Sequence, residues 1–381
     1  MTYLTKLMLT PDENFMESYF SLRSLSKNTM TLYRQATESM EKYTNTPIQN
    51  LDETTLKKWL IQAQRELGPA TIEKYAQIMR ILYTHHLQDT GLTKRKAKAE
   101  AAELFDLVPF TDLRQRSKKE TSLRDQVVTA DEFQTLINAV NHPRVKALIA
   151  ITYESGCRKG EILSLRLKDI QASQDHWSIT VEGKTGTRVV PLIKSIPYLR
   201  AWLQSHPARG NENSPVFVSS FKGKVRGINE HSFNNILRLL CKKTGLRMIH
   251  PHMLRHTRLT NLAEDGLGEF QMKSFAGWTA DSKMAARYIH LSGRGHMNAV
   301  LEQEGVDTGN GGVTHKPESL LEITNCPNCD SPVGSGMVHC PRCGYILDDR
   351  LRIERGDELE SMKAELAELK ALVMQKLADE P

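Results

Sequence analysis

The chain has 381 residues, 39% hydrophobic and 25% charged, the composition of a globular protein with room for roughly two or three domains. No apolar run approaches the roughly 18 residues of a membrane span and no leader-like segment opens the chain, so neither membrane insertion nor secretion is expected. The formal charge of +6 is uneven: residues 354–381 hold four Lys/Arg against eight Asp/Glu, leaving +10 on the preceding 353, a balance that suits a polyanionic partner.

Residues 11–92 read as a four-helix domain. Ser26 and Asp52 are N-cap candidates, and Pro69 stands near a third helix start. Met30, Tyr33, Ala36, Thr37 and Met40 form one apolar stripe; Leu56, Trp59, Leu60 and Ala63 form the next, then Ile72, Tyr75, Ala76, Met79 and Leu82. Residues 93–126 carry "KRKAK" and "RQRSKK" and read as a basic linker, either solvated or tracking a phosphate backbone.

A second domain is expected over 127–298. It opens on the capping box "TADE" at Thr129, followed by Phe133, Leu136, Ile137 and Val140. Two β-rich runs, 176–182 and 187–192, flank "GKTG" as a hairpin, and helices resume at 195–205, 231–244, 252–264, 268–277 and 281–290. The fold class is therefore mainly α with a small antiparallel sheet. Residues 299–321, rich in Gly, read as a flexible linker; 322–349 hold a cysteine module and 354–378 an acidic amphipathic helix.

Within "HPHMLRHT" at 250–257, His252 and His256 have the spacing of a helical zinc pair, but Met253 stands where a metalloprotease carries Glu. Arg255 shares a helical face with His252, and an obligate cation beside a histidine suits an oxyanion better than a dication.

Five stretches then align. "GCRKGEIL" supplies Arg158 and Glu161, "EGKTGTRVVPL" supplies Lys184, and "HPHMLRH" supplies His252 and Arg255; "FAGWTADSKMAARYIHL" adds Trp278 and Tyr288. In this order they resemble the tyrosine recombinase (phage integrase) family over about residues 11–295. Trp278 and Tyr288 stand one residue further apart than in most relatives. The resemblance implies an N-terminal DNA clamp, a catalytic domain, and site-specific recombination of double-stranded DNA through a 3′-phosphotyrosyl intermediate. A homo-oligomer on DNA, in the form of a tetrameric synapse, and a cytoplasmic, nucleoid-associated location follow from it. The added tail suggests an archaeal or archaeal-virus member.

The residue types fit that chemistry. A phenol of ordinary pKa near 10 is only about one part in a thousand ionised at neutral pH and needs a strongly positive pocket. Arg158 and Arg255 can each fork two N–H donors onto phosphate oxygens. The resemblance makes Lys184 the general acid for the leaving 5′ oxygen, His252 a base or hydrogen-bond partner, Trp278 an indole donor and Tyr288 the nucleophile. Glu161 then orients its neighbours, and His250 and His256 either support the site residues from behind or are structural. Arginines take the place of a metal in strand cleavage. A type IB topoisomerase and a non-catalytic DNA-binding regulator are the alternatives; the small N-terminal domain speaks against the first, and the complete set of six residue types against the second.

Four of six cysteines fall within 18 residues, while Cys157 and Cys241 stand alone, a pattern of one metal site in a reducing compartment. Cys326, Cys329, Cys340 and Cys343 form two Cys-x-x-Cys knuckles with ten residues between them, the pattern of a structural Zn2+ ribbon. This ribbon is expected to be a rigid adaptor. Leu359, Met362, Leu366, Leu369 and Val373 recur at coiled-coil spacing, so the terminal helix is expected to self-associate, the alternative being a helix folded back on its own domain.

Overall fold

The computed structural model describes residues 11–120, 126–221, 224–291 and 319–378. They fall into two compact units that divide at residues 125 and 126.

The first unit contains helices α1 (Pro11–Ser21), α2 (Lys27–Thr44), α3 (Glu53–Glu66), α4 (Pro69–Asp89), α5 (Lys94–Phe105) and α6 (Phe110–Glu120). Ser26 Oγ accepts from Thr29 N at 3.2 Å, and Asp52 Oδ1 accepts from Thr55 N at 2.7 Å, so both caps satisfy donors that the first helical turn leaves open. Met40, Leu56, Trp59, Ile72, Met79 and Leu82 are buried together. The expected basic linker is instead structured over most of its length. Ala97, Ala101 and Phe105 recur every fourth residue and are buried, while Lys94, Arg95, Lys96 and Lys98 are exposed. Arg114 on α6 pairs with Glu73 on α4 at 2.6 Å. Helices α1 to α4 thus lie within residues 11–92, and α5 and α6, from the expected linker, add two more to the unit.

The second unit is built around α8 (Pro143–Ser155), whose residues from Val145 to Ser155 are all buried. Around it lie α7 (Ala130–Asn138), α9 (Lys159–Ser164), α10 (Ile196–Gln204), α11 (Glu230–Thr244), α12 (Pro251–Glu264), α13 (Glu269–Ala276) and α14 (Met284–Leu291). The Thr129–Glu132 capping box is formed in both directions. Strands β1 (Ile170–Ala172), β2 (Trp177–Gly183) and β3 (Gly186–Leu192) make an antiparallel sheet in that order, with Gly183 opposite Gly186 at the hairpin end. A second, two-stranded sheet, β4 (Val218–Phe221) with β5 (Lys224–Gly227), adds to the one expected in this domain, and β6 (Ile323–Asn325) pairs with β7 (Pro332–Gly334) within the cysteine module.

The linker expected over 299–321 lies almost wholly outside the described residues. Its last residues, Leu320 and Leu321, are buried in the core of this unit. The cysteine module that follows is docked against the helices. Lys146 Nζ donates to Gly336 O, Tyr198 Oη to Ser335 O at 3.2 Å and Gln204 Nε2 to Pro341 O. A Cβ on Gly334 would fall 2.1 Å from Tyr198 Cζ, so the backbone approach there requires glycine. Leu320 N and Asn261 Nδ2 both donate to the Tyr153 hydroxyl, at 3.4 and 3.1 Å, which links the module's entry strand to α12. The module is part of the second unit. The chain ends in α15 (Asp349–Ala378).

Candidate active site and metal centre

Gly156 ends α8 in a left-handed conformation (φ 56°), and the reversal brings Arg158 to the N-cap of α9. Glu161, one turn along, is 6% exposed. It accepts from Arg158 N at 2.9 Å and Arg158 Nη1 at 2.8 Å, and from Arg188 Nη2 on β3 at 2.8 Å. Burial alone would raise the Glu161 carboxyl, but Arg188 and then the Arg158 contacts outweigh it and hold the group below the usual carboxylate range. Arg188 also donates to Phe275 O at 3.0 Å and Cys157 Sγ at 3.3 Å. This arginine was not among the expected site residues. It shares the inward-facing parity of Val190 and Leu192, and a cation at such a position must find a partner inside.

The carbonyl of Gly277 accepts from Arg158 Nη2 at 3.2 Å and from Thr185 Oγ1 at 3.1 Å, tying the α9 arginine to the hairpin tip. Lys184, beside Thr185, is exposed at that tip. Arg158, Lys184 and His252 line one cleft of about 870 Å³, together with Lys159, Glu230 and His250. Lys159 and Glu230 pair at 2.7 Å.

Arg255, Trp278 and Tyr288 are not among the residues lining that cleft and form a packed layer. Arg255 is 3% exposed, with Nη1 donating to Gly156 O at 2.6 Å and Nη2 to Ala276 O at 2.9 Å. Burial, then the charge of Arg158, lowers its pKa to about 10, which leaves it cationic at neutral pH. Its guanidinium carbon lies 5.7 Å from the centre of the Trp278 ring, and Trp278 stacks on Tyr288 at 5.7 Å and 21°. The Tyr288 hydroxyl is hydrogen-bonded to His256 Nδ1. His256 in turn meets His252 edge to face at 4.3 Å. Burial, then His252 and Arg255, pushes His256 down to about 4, and burial pushes Tyr288 up to about 12. The pair is therefore a neutral phenol hydrogen-bonded to a neutral imidazole. Protein crowding around the ring, then Arg255, also lowers the pKa of His252. His256, expected either to support the site from behind or to be structural, joins α12 to α14 through this contact with Tyr288, 32 residues further along the chain.

The four module cysteines form a separate cluster, their sulfurs all within 4.8 Å of one another. Cys326 lies 3.7 Å from Cys343 and Cys329 lies 3.7 Å from Cys340, sulfur to sulfur, and Arg342 N donates to Cys340 Sγ at 3.4 Å. Four thiolate donors at these separations can hold a metal ion. In the first unit, a groove of about 550 Å³ is lined by the exposed side chains of Arg23, Arg80, Lys94 and Lys98.

Comparison with known proteins places this geometry. Residues 126–294 match the phage integrase family. Tyrosine recombinase XerC of Xanthomonas campestris pv. campestris is 26% identical over 254 residues, 64% of this chain and 72% of the relative. Transposase A of transposon Tn554 from Staphylococcus aureus is 27% identical over 206 residues, covering 50% of this chain and 55% of that protein. Among solved structures, the Tn1549 transposon integrase in complex with transposon right end DNA aligns with a TM-score of 0.59 at 15% identity, over 78% of this chain and 100% of that one. XerH recombinase bound to palindromic difH substrate aligns with a TM-score of 0.54 at 19% identity, over 73% and 80%. At these identities the structural matches establish the fold.

Proposed function

We propose that the chain, whose residues 126–294 match the phage integrase family, is a tyrosine recombinase, a site-specific DNA recombinase with Tyr288 as its nucleophile. The observation that carries the reading is the pairing of Arg158, Lys184 and His252 around one cleft with a buried tyrosine layer joined to it through Arg255 and the His252–His256 contact.

In this reading a DNA phosphodiester enters the cleft, where Arg158 binds a non-bridging oxygen; Arg255, enclosed behind the cleft, binds the other once the layer over it opens. Glu161 and Arg188 act as positioning residues: they hold the Arg158 guanidinium in one orientation, which a solvated arginine would sample only part of the time. The Tyr288 oxygen attacks phosphorus and a P–O bond forms as the P–O5′ bond breaks. The departing 5′ oxygen takes a proton from Lys184, and the phenol proton leaves to His252 or solvent. Strand joining is the reverse, with the 5′ hydroxyl of a partner duplex as attacker. Attack requires the phenol to exchange His256 for the phosphate, since a hydroxyl of pKa about 12 is a poor nucleophile where it stands. Trp278 supports the Tyr288 ring by stacking.

The helical unit, residues 11–92 extended by the helices to 120, serves as the DNA clamp, and its cationic groove is the face for backbone phosphates. Residues 127–298 form the catalytic domain, working as a homo-oligomer on a specific duplex site. Cys326, Cys329, Cys340 and Cys343 hold a structural Zn2+; an all-cysteine set leaves no open ligand position and so supplies folding energy, not catalysis. Among the described residues no helix is long and apolar enough to cross a membrane. A DNA substrate assigns the protein to the nucleoid and cytoplasm.

The test is covalent capture. A nicked suicide duplex carrying the recombination site should give a denaturant-resistant, protease-sensitive adduct with the native chain. Tyr288→Phe should bind the same duplex and give none. An adduct of native yield from the Phe variant would reassign the nucleophile.

A further inference from the structure

The terminal helix α15 is 30 residues long, and it displays Met362, Leu366 and Leu369 to solvent at 66%, 54% and 59% exposure. Leaving three large apolar side chains wet on one face costs free energy that burial against another surface would recover. Leu359, Met362, Leu366, Leu369 and Val373 follow one another at intervals of three and four. In heptad notation Leu359, Leu366 and Val373 occupy a, and Met362 and Leu369 occupy d. Arg355 and Lys376 hold the flanking d positions, so cations close the seam at both ends.

This register assigns the charges. Glu358 and Glu365 fall at g, and Lys363 and Lys370 at e, all four exposed. In a parallel, in-register pair, each g residue lies beside the e residue of the following heptad on the other helix. Glu358 then faces Lys363 of the partner subunit, and Glu365 faces Lys370 of the partner subunit, with the same contacts repeated by symmetry. An antiparallel pair would set Glu against Glu and Lys against Lys. The flanking charges therefore favour one orientation and oppose the other.

We propose that α15 pairs with α15 of a second copy of this chain as a parallel, in-register two-stranded coiled coil. The seam from Leu359 to Val373 runs about 21 Å at the helical rise per residue, so the contact is short and its occupancy depends on chain concentration. Two chains held on adjacent DNA sites would form it at a raised effective concentration. The pairing does not depend on the chemistry of Tyr288.

The full-length chain, free of DNA, tests this by sedimentation equilibrium. The mass should rise with concentration from 43.2 kDa toward twice that value. Leu366→Asp with Leu369→Asp should remain at the single-chain mass while keeping the native melting temperature, because both side chains are already exposed. A native chain that stays at the single-chain mass would overturn the proposal and indicate a helix packed on its own unit; so would a double variant that still dimerises. Orientation is read from Met362→Cys under mild oxidation. Parallel pairing brings the two introduced thiols together, and peptide mapping should recover a 362–362 disulfide. A dimer without that disulfide would overturn the parallel register. Glu358→Lys/Glu365→Lys and Lys363→Glu/Lys370→Glu should each lose the dimer alone and regain it when mixed; dimerisation of either alone would remove the charge argument.

Discussion

Exposed cations line the groove of the helical unit, whereas in the second unit Arg255 is buried and Arg188 is largely enclosed, the two held by carbonyls, a carboxylate and a thiol. The two settings give the same charge different uses. Solvated lysines and arginines attract any phosphate backbone, and their contribution falls with salt. A guanidinium fixed inside the fold presents its charge at one point, which helps only if a reacting group sits at that point. Under the proposed function, the first setting would attract DNA and the second would place one phosphate.

Lys184 combines the two settings, exposed yet lining the cleft with Arg158 and His252. Lys184→Ala should slow single-turnover cleavage by about 10²–10⁴-fold. A 5′-bridging phosphorothiolate, whose thiolate leaves without a proton, should restore most of the rate. A sulfur substrate that gives no rescue would remove Lys184 from the acid role and weaken the contrast.

Breaking the buried setting should cost stability as well as rate. Arg188→Met leaves Glu161 buried without one of its two arginine partners, a loss of about 3 kcal/mol. The Glu161 pKa is depressed in the folded state. Its stabilisation is therefore present above the unfolded carboxyl value of about 4.3 and is lost as pH falls through the lower folded value. Urea unfolding of native and variant chains should accordingly differ most near neutrality and converge in acid. A gap independent of pH would trace the loss to packing alone.

Chelation probes whether the cysteine module belongs to the buried architecture. Disordering it would release its hydrogen bonds to α7, α8 and α10, a loss of about 2 kcal/mol and a fall on the order of 5 °C in the unfolding midpoint of the second unit. Trp202, on α10 beside the docking face, reports that transition by fluorescence. An unmoved midpoint after metal removal would mean that the module docks without bracing.

The smallest effect is expected in the groove. Arg80→Ala with Lys94→Ala should weaken duplex binding equally for specific and random sequence. The log–log salt slope should flatten by about 0.9 for each phosphate that is no longer neutralised. A selective weakening at the specific site would give the groove a role in sequence reading.

Local chemistry determined much of this protein before any packing was known. The caps at Ser26, Asp52 and Thr129, the hairpin closing on Gly183 and Gly186, and the two cysteine knuckles each depend on residues a few positions apart, so their spacing is their structure. The order of Arg158, Lys184, His252, Arg255, Trp278 and Tyr288 was legible for the same reason, as short motifs that could be compared one by one. Two misreadings also have local causes. The basic run at 94–98 concealed the four-residue spacing of Ala97, Ala101 and Phe105, because charge dominates composition while burial follows periodicity. Arg188 was passed over although its parity with Val190 and Leu192 marked it as facing the core.

Only the tertiary structure decided which distant groups meet. Glu161 joins Arg158 to a β-strand arginine 27 positions further on, Gly277 O binds both Arg158 and Thr185, and His256 holds the hydroxyl of Tyr288. The cysteine module lies on α8 and α10 because Leu320 and Leu321 are buried in the same core as those helices. Periodicity states which face of an element is buried, but not what it is buried against. That partner is selected by the shape and polarity of surfaces brought together from far apart in the chain.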